Sequence, residues 1–158
     1  MKRFADAWAA MGLLVVLALP LAIIAACIAI SDGPPVFFWQ ERMGRKGKPF
    51  RILKFRTMRK AKKGDALITQ GQKDDRITRT GKWLRQHRLD EFPQLWNVLI
   101  GEMSLVGPRP EVPRFVDMHN PDWQTALSVR PGITGPDALA FRDEGHELAQ
   151  AADAEAHY

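Results

Sequence analysis

Ala7 to Ile30, reading AWAAMGLLVVLALPLAIIAACIAI, carries no charged side chain and a single proline, Pro20. At about 1.5 Å per residue, a straight helix of this length crosses a bilayer core of about 30 Å with little to spare. Three readings compete: a spanning helix, a cleaved leader with Ile24-Ala25-Ala26-Cys27 as a lipoprotein processing site, and a hairpin that enters and leaves by one face. Charge favours the hairpin. Lys2 and Arg3 precede the run and Arg42, Arg45, Lys46, Lys48, Arg51 and Lys54 follow it, so a spanning helix would set one basic flank against the positive-inside rule. Pro20 lacks the N–H that the helix ladder needs and its ring clashes with the preceding turn, which makes it the expected break; a bent spanning helix is the other outcome. Ser31-Asp32-Gly33-Pro34-Pro35 then closes the element. The expected division is an anchor at 1–32 and a unit at the cytoplasmic face at 33–158.

A chain of 158 residues has material for one modest core. Its 23 Lys and Arg exceed its 18 Asp and Glu, and the excess is local: Arg42 to Lys63 holds eleven basic residues and no acid. Such a density attracts phosphate, on lipid, nucleotide or nucleic acid. Cys27 is the only cysteine, which excludes an intrachain disulfide and a cysteine-based zinc site. His87, His119, His146 and His157 show no metal-ligand spacing.

The pattern after residue 33 predicts an α+β unit that is mostly helical. Val36–Gln40 and Pro49–Thr57 read as a small β-hairpin around a glycine-bearing loop, with Phe37, Phe38 and Trp39 either at headgroup level or in the core. Lys60–Asp75 reads as a loop over the site. Short amphipathic helices are expected at Thr80–His87, Asp90–Ile100, Pro113–His119 and Asp122–Ser128, then a turn at Pro131–Gly135 and a helix-compatible tail from Asp143. In the second of these helices Asp90 is the expected N-cap, Glu91 and Pro93 suit the first turn, and Phe92, Leu95, Trp96 and Leu99 form one face.

Leu89-Asp90-Glu91 sets adjacent carboxylates at a helix start, where peptide dipoles favour anions and phosphate alike. An ionised carboxylate there can attack phosphorus if cations neutralise the phosphate oxygens, and Lys54, Arg56, Arg85 and Arg109 are candidates. The bland readings stand beside this one: an N-cap with a first-turn acid, an arginine that braces a turn, and a basic face resting on anionic lipid.

Five blocks occur in order: Phe37-Phe38-Trp39-Gln40-Glu41-Arg42, Lys54-Phe55-Arg56-Thr57-Met58, Leu89-Asp90-Glu91-Phe92-Pro93-Gln94-Leu95-Trp96-Asn97-Val98, Gly101-Glu102-Met103-Ser104-Leu105-Val106-Gly107-Pro108-Arg109-Pro110 and Arg130-Pro131-Gly132-Ile133-Thr134-Gly135. Together they resemble the bacterial sugar transferases, the monotopic phosphoglycosyl transferases. The resemblance implies a re-entrant membrane helix hairpin broken at Pro20, with Lys2, Arg3 and Asp6 as its basic start and following acid. It implies catalysis by an Asp90–Glu91 dyad with Mg2+: the aspartate attacks the β-phosphate of a UDP-sugar, UMP leaves, and polyprenyl (undecaprenyl) phosphate takes the phospho-sugar. Arg85, Arg109 and Arg130 match positions that the family keeps basic, which assigns them to phosphate or nucleotide, with Lys54 and Arg56. The implied setting is the cytoplasmic face of a bacterial inner membrane, with membrane lipid and no nucleic acid as partner. Three departures accompany the match. Leu19 replaces the serine that many members carry before the proline, Arg88 stands where serine or threonine is common, and members continue past the point matching Tyr158. The rival reading is a non-catalytic scaffold that holds anionic lipid within a glycan assembly complex.

Overall fold

The computed structural model describes residues 1–59 and 74–135. Most of the expected loop after Lys60 and the whole acidic tail therefore lie outside the described residues. About half of the described residues are helical, and the rest form two small sheets and their connections.

The apolar run folds as two helices, α1 (Lys2–Val16) and α2 (Ala18–Ser31), bent by 62°. The break falls at Leu17, three residues before the expected Pro20, which instead sits in the first turn of α2. The displacement follows from where a proline acts: it cannot donate to the carbonyl four residues back, here that of Val16, and its ring presses on that same turn. Backbone bonds continue on either side, Leu17 N–H to Leu13 O at 2.8 Å and Leu21 N–H to Leu17 O at 2.9 Å. Neither helix alone is long and apolar enough to cross a membrane.

β1 (Phe37–Met43) and β2 (Pro49–Phe55) form the predicted antiparallel hairpin, in register from Phe37 opposite Phe55 to Met43 opposite Pro49. The turn takes left-handed conformations at Lys46 and Gly47. Phe37, Phe38 and Trp39 are exposed, although Phe37 stacks on Phe55 with ring centroids 5.4 Å apart; the core reading of these aromatics does not hold.

Thr78 caps α3 (Arg79–Gln86) by accepting from Gly81 N–H at 2.9 Å. Gly81 is required there, because a Cβ would lie 2.1 Å from the Thr57 carbonyl oxygen. The predicted helix at 90–100 divides into a 3-10 segment, Leu89–Gln94, and α4 (Leu95–Ile100). Asp90 is not the N-cap: Arg88 holds that position in a left-handed turn, φ 54°, and Pro93 inside the segment lacks a donor for an α-helical ladder. Pro113–Phe115 is only one 3-10 turn, and α5 (Pro121–Ala126) starts behind an Asn120 cap. A further pair of strands was not expected. β3 (Ser104–Val106) runs parallel to β4 (Gly132–Thr134), which occupies the segment read as a turn. Three residues per strand carry too little alternation to be read.

Two apolar cores hold these elements, and the N-terminal helices enter both. Ala10 of α1 packs with Phe50, Ile52, Leu95, Val98 and Met103, and Ile28 of α2 packs with Phe55 and Leu84. Between β2 and α4 lies Asn97, fully buried. Its Oδ1 accepts from Leu53 N–H at 3.0 Å, while its Nδ2 donates to Arg51 O at 2.8 Å and to Glu102 Oε2 at 2.7 Å. Asn97→Ala leaves an amide and a carbonyl of β2 without these partners, so it is expected to cost about 2–4 kcal/mol in unfolding free energy. Chemical denaturation in detergent would check this, and a cost within about 0.5 kcal/mol of zero, the range of ordinary surface changes, would contradict it.

Candidate active site

Asp90 and Glu91 occupy the first turn of the 3-10 segment, which follows α3 through the left-handed Arg88 and packs against β2. That packing brings Lys54, the penultimate residue of β2, onto the dyad. Its Nζ donates to Glu91 Oε1 at 2.7 Å, with both side chains only 17 % exposed. Arg109 reaches the same carboxylate oxygen from the loop after β3, with Nη2 at 3.7 Å, and is 46 % exposed. Arg85, in the last turn of α3, donates toward Met58 Sδ at 3.5 Å and acts electrostatically on Asp90.

The two neighbouring carboxylates respond in opposite directions to this setting. Burial pushes the Asp90 pKa up and the adjacent Glu91 adds to it, and together these outweigh the pull of Lys54 and Arg85. Glu91 meets the same penalty of burial, but Lys54, Arg109 and Arg88 more than offset it and hold this carboxyl below its usual range. Arg88, noted in the sequence as a departure, thereby joins the electrostatics of the site. Proximity in sequence to Asp90 is the one signal that pointed to it.

Two more of the expected phosphate ligands, Arg56 and Arg130, donate to backbone carbonyls. The Arg56 Nη2 donates to the carbonyls of Asp32, at 2.8 Å, and Gly33, so this arginine ties the exit of α2 to the end of the hairpin. Arg130 donates from Nε to Gly101 O at 2.8 Å, at the C-terminal end of α4. Lys2, Arg3 and Asp6 bind the body of the fold. Lys2 reaches Asp6 at 3.2 Å, the Ser104 hydroxyl, and Val106 O at 3.1 Å; Arg3 donates to the carbonyls of Val98 and Leu99 at 2.8 and 2.7 Å; and Ser104 donates to Asp6 at 2.8 Å.

Among the described residues no three His, Cys, Asp or Glu side chains come together as a metal cage. The Asp90–Glu91 pair nevertheless fits a hard divalent cation, which commonly takes one or two carboxylates and completes its shell with phosphate oxygens and water. The unrelieved charge on a buried Asp90 beside Glu91 is what such a cation would relieve.

A family model described as bacterial sugar transferase matches residues 1–158. A UDP-glucose:undecaprenyl-phosphate glucose-1-phosphate transferase of Caulobacter vibrioides is 44 % identical over 138 residues, 85 % of this chain and 51 % of that protein. A putative undecaprenyl-phosphate N-acetylgalactosaminyl 1-phosphate transferase of Bacillus subtilis is 44 % identical over 118 residues, 73 % of this chain and 65 % of the relative. A UDP-glucose:undecaprenyl-phosphate glucose-1-phosphate transferase of Escherichia coli is 40 % identical over 143 residues, 85 % of this chain and 30 % of that protein. The chain thus spans from under a third to just under two thirds of the length of these relatives.

The opposed shifts give opposite consequences for stability. Asp90, its folded pKa raised, binds protons more tightly folded than unfolded, so its ionised form costs stability above that pKa and the cost fades as pH falls. Glu91, its folded pKa lowered, contributes stability above its unfolded pKa and loses it as pH falls through the folded value. In detergent without divalent cations, Asp90→Asn is expected to raise Tm at pH 7 and Glu91→Gln to lower it. Both differences should shrink on acidification, and shifts of the same sign at pH 7 would contradict the assignment.

Proposed function

This chain belongs to the bacterial sugar transferase family, and on that premise we propose that it moves a sugar 1-phosphate from a UDP-sugar to undecaprenyl phosphate through a covalent intermediate on Asp90. The observation that carries this reading is the dyad itself: two adjacent carboxylates at the start of one segment, with Lys54 and Arg109 drawn onto Glu91. Glu91 Oε1 is engaged by Lys54 and Arg109, which favours Asp90 over Glu91 for attack. An Asp90 carboxylate oxygen bonds to the β-phosphorus, the bond from that phosphorus to the bridging oxygen breaks, and UMP departs with the oxygen. A phosphate oxygen of the polyprenyl carrier then attacks the same phosphorus, which frees the carboxylate and gives the polyprenyl diphospho-sugar. No net proton is needed in either displacement. Lys54, Arg85 and Arg109 offset the charge that crowds the phosphate oxygens, and Glu91 keeps Lys54 and Arg109 in place. Asp90 and Glu91 would hold Mg2+, which when bound supplies further positive charge to those oxygens.

The bent helix pair is proposed to lie in the membrane as a re-entrant hairpin, with the dyad at the cytoplasmic face. Its two ends are fastened to one body: Lys2, Arg3 and Asp6 to α4 and β3, Ser31 to Thr80 at 2.9 Å, and the turn after α2 to Arg56. Large apolar side chains between those ends face outward, Trp8 and Leu19 each 71 % exposed. At about 1.5 Å per residue α1 reaches only about 22 Å, short of a hydrocarbon core of about 30 Å.

Two measurements test these readings. Incubated with UDP-sugar and Mg2+, the protein should gain the mass of a phospho-sugar and release UMP, while Asp90→Asn should form no adduct and Arg109→Ala should lose about 10²–10³ in kcat; an adduct that persists on Asp90→Asn would refute the mechanism. For topology, a cysteine placed before Met1 and another in place of Asp75 should both react with an impermeant maleimide in inverted membrane vesicles and neither in intact cells. Labelling of the two from opposite sides would establish a spanning helix instead.

A further inference from the structure

We infer that Arg42 is a positioning residue that holds the Arg109 loop against the β-hairpin and thereby sets where the Arg109 guanidinium meets the donor diphosphate; this rests on the donor reading above. Arg42 stands near the end of β1, opposite Phe50. Its Nη1 donates to the Pro110 carbonyl and to Glu111 Oε1, each at 3.2 Å, and its Nη2 donates to Gln40 Oε1 at 2.8 Å. The Arg42 and Glu111 side chains are 16 % and 15 % exposed, so the pair is largely shielded from water. Next to it the main chain repeats the hold, Met43 N–H donating to Glu111 O at 2.8 Å.

Arg109 lies between two anchored carbonyls. Behind it, Gly132 N–H donates to Pro108 O at 2.9 Å; ahead of it, Arg42 takes Pro110 O. Proline on either side removes most of the remaining backbone freedom, since each ring fixes its φ. With the loop held so, the Arg109 guanidinium stands 3.7 Å from Glu91. The hairpin therefore delivers the two cations that stand within 4 Å of the Glu91 carboxylate: Lys54 directly from β2, and Arg109 through the grip of Arg42 on β1. An arginine suits this task because its planar fork serves acceptors in different directions at once, which a lysine ammonium on a flexible stem does poorly.

The test is a double-mutant cycle on the full chain, Arg42→Gln with Arg109→Ala, read by UDP affinity, by the separate kcat and KM for UMP release, and by Tm. Arg42→Gln alone should lower kcat/KM by about 10- to 100-fold, the scale of a misplaced positioning group. In the Arg109→Ala background the same change should cost less than about twofold, because groups that act as a unit are not additive. Multiplying effects, or a drop in Tm with kcat/KM unchanged, would overturn the proposal. Should Arg42→Gln fail to fold, Glu111→Gln removes the charged partner while leaving the Met43 main-chain bond; it should show a smaller loss with the same dependence on Arg109, and an equal loss in both backgrounds would again overturn it. A wild-type chain that binds UDP but releases no UMP would refute the donor reading; UDP affinity would still decide the role of Arg42.

Discussion

A single buried amide settles how the dyad segment meets the β-hairpin. Asn97 has no exposed surface and meets the backbone of β2 as a strand neighbour would, accepting from Leu53 and donating to Arg51. The strand edge that it satisfies would otherwise leave polar groups buried without partners, which folded chains avoid. Because Asn97 belongs to the helix that continues from the dyad, this match fixes the distance between two segments far apart in sequence. Lys54 follows Leu53 directly, and the contact of Lys54 with Glu91 is set by the same alignment.

Around that fixed point the site assigns different tasks to chemically similar groups. Both carboxylates lose water, yet only at Glu91 do the nearby cations outweigh that loss. Asp90 is left short of compensation, next to a permanent negative charge. Stabilising and destabilising charges are thereby set side by side within one dipeptide, the kind of local cost that a fold tolerates at a functional site. The left-handed Arg88 shows the same tolerance in the backbone, since a side chain other than glycine rarely adopts that conformation.

Much of this was legible in the residues. The aromatic and aliphatic runs either side of Met43-Gly44-Arg45-Lys46-Gly47-Lys48 pointed to the hairpin, whose first strand runs on to Met43 and whose second ends at Phe55, and the apolar run flanked by basic residues pointed to the bent pair. Lys54, Arg85, Asp90, Glu91 and Arg109 could be gathered from the place of the two acids at an element start and from the resemblance of the surrounding blocks to a known family. What escaped depended on partners distant in sequence. β3 and β4 are too short to show a period and are defined by backbone contact through Gly107 and Gly132, where a Cβ on Gly132 would fall 2.1 Å from the Gly107 nitrogen. Arg56 and Arg130 look identical in composition to Arg85 and Arg109, but carbonyls at the ends of α2 and α4 claim them. Pro20 was rightly singled out as a breaker, while its effect fell on Leu17 because a proline disturbs the turn before it.

The fastening of α1 and α2 at both ends has a mechanical meaning. A limb joined at one point can swing; one riveted at two is braced, and here the rivets are buried or charge-assisted bonds to α4 and β3 at one end and to Arg56, just after β2, at the other. The outward apolar flank is thereby braced at both ends against elements that pack around Asp90 and Glu91. On the proposal that this flank lies in a membrane, the bracing would set the altitude of Asp90 above it, and a carrier anchored there would be met at a preset level.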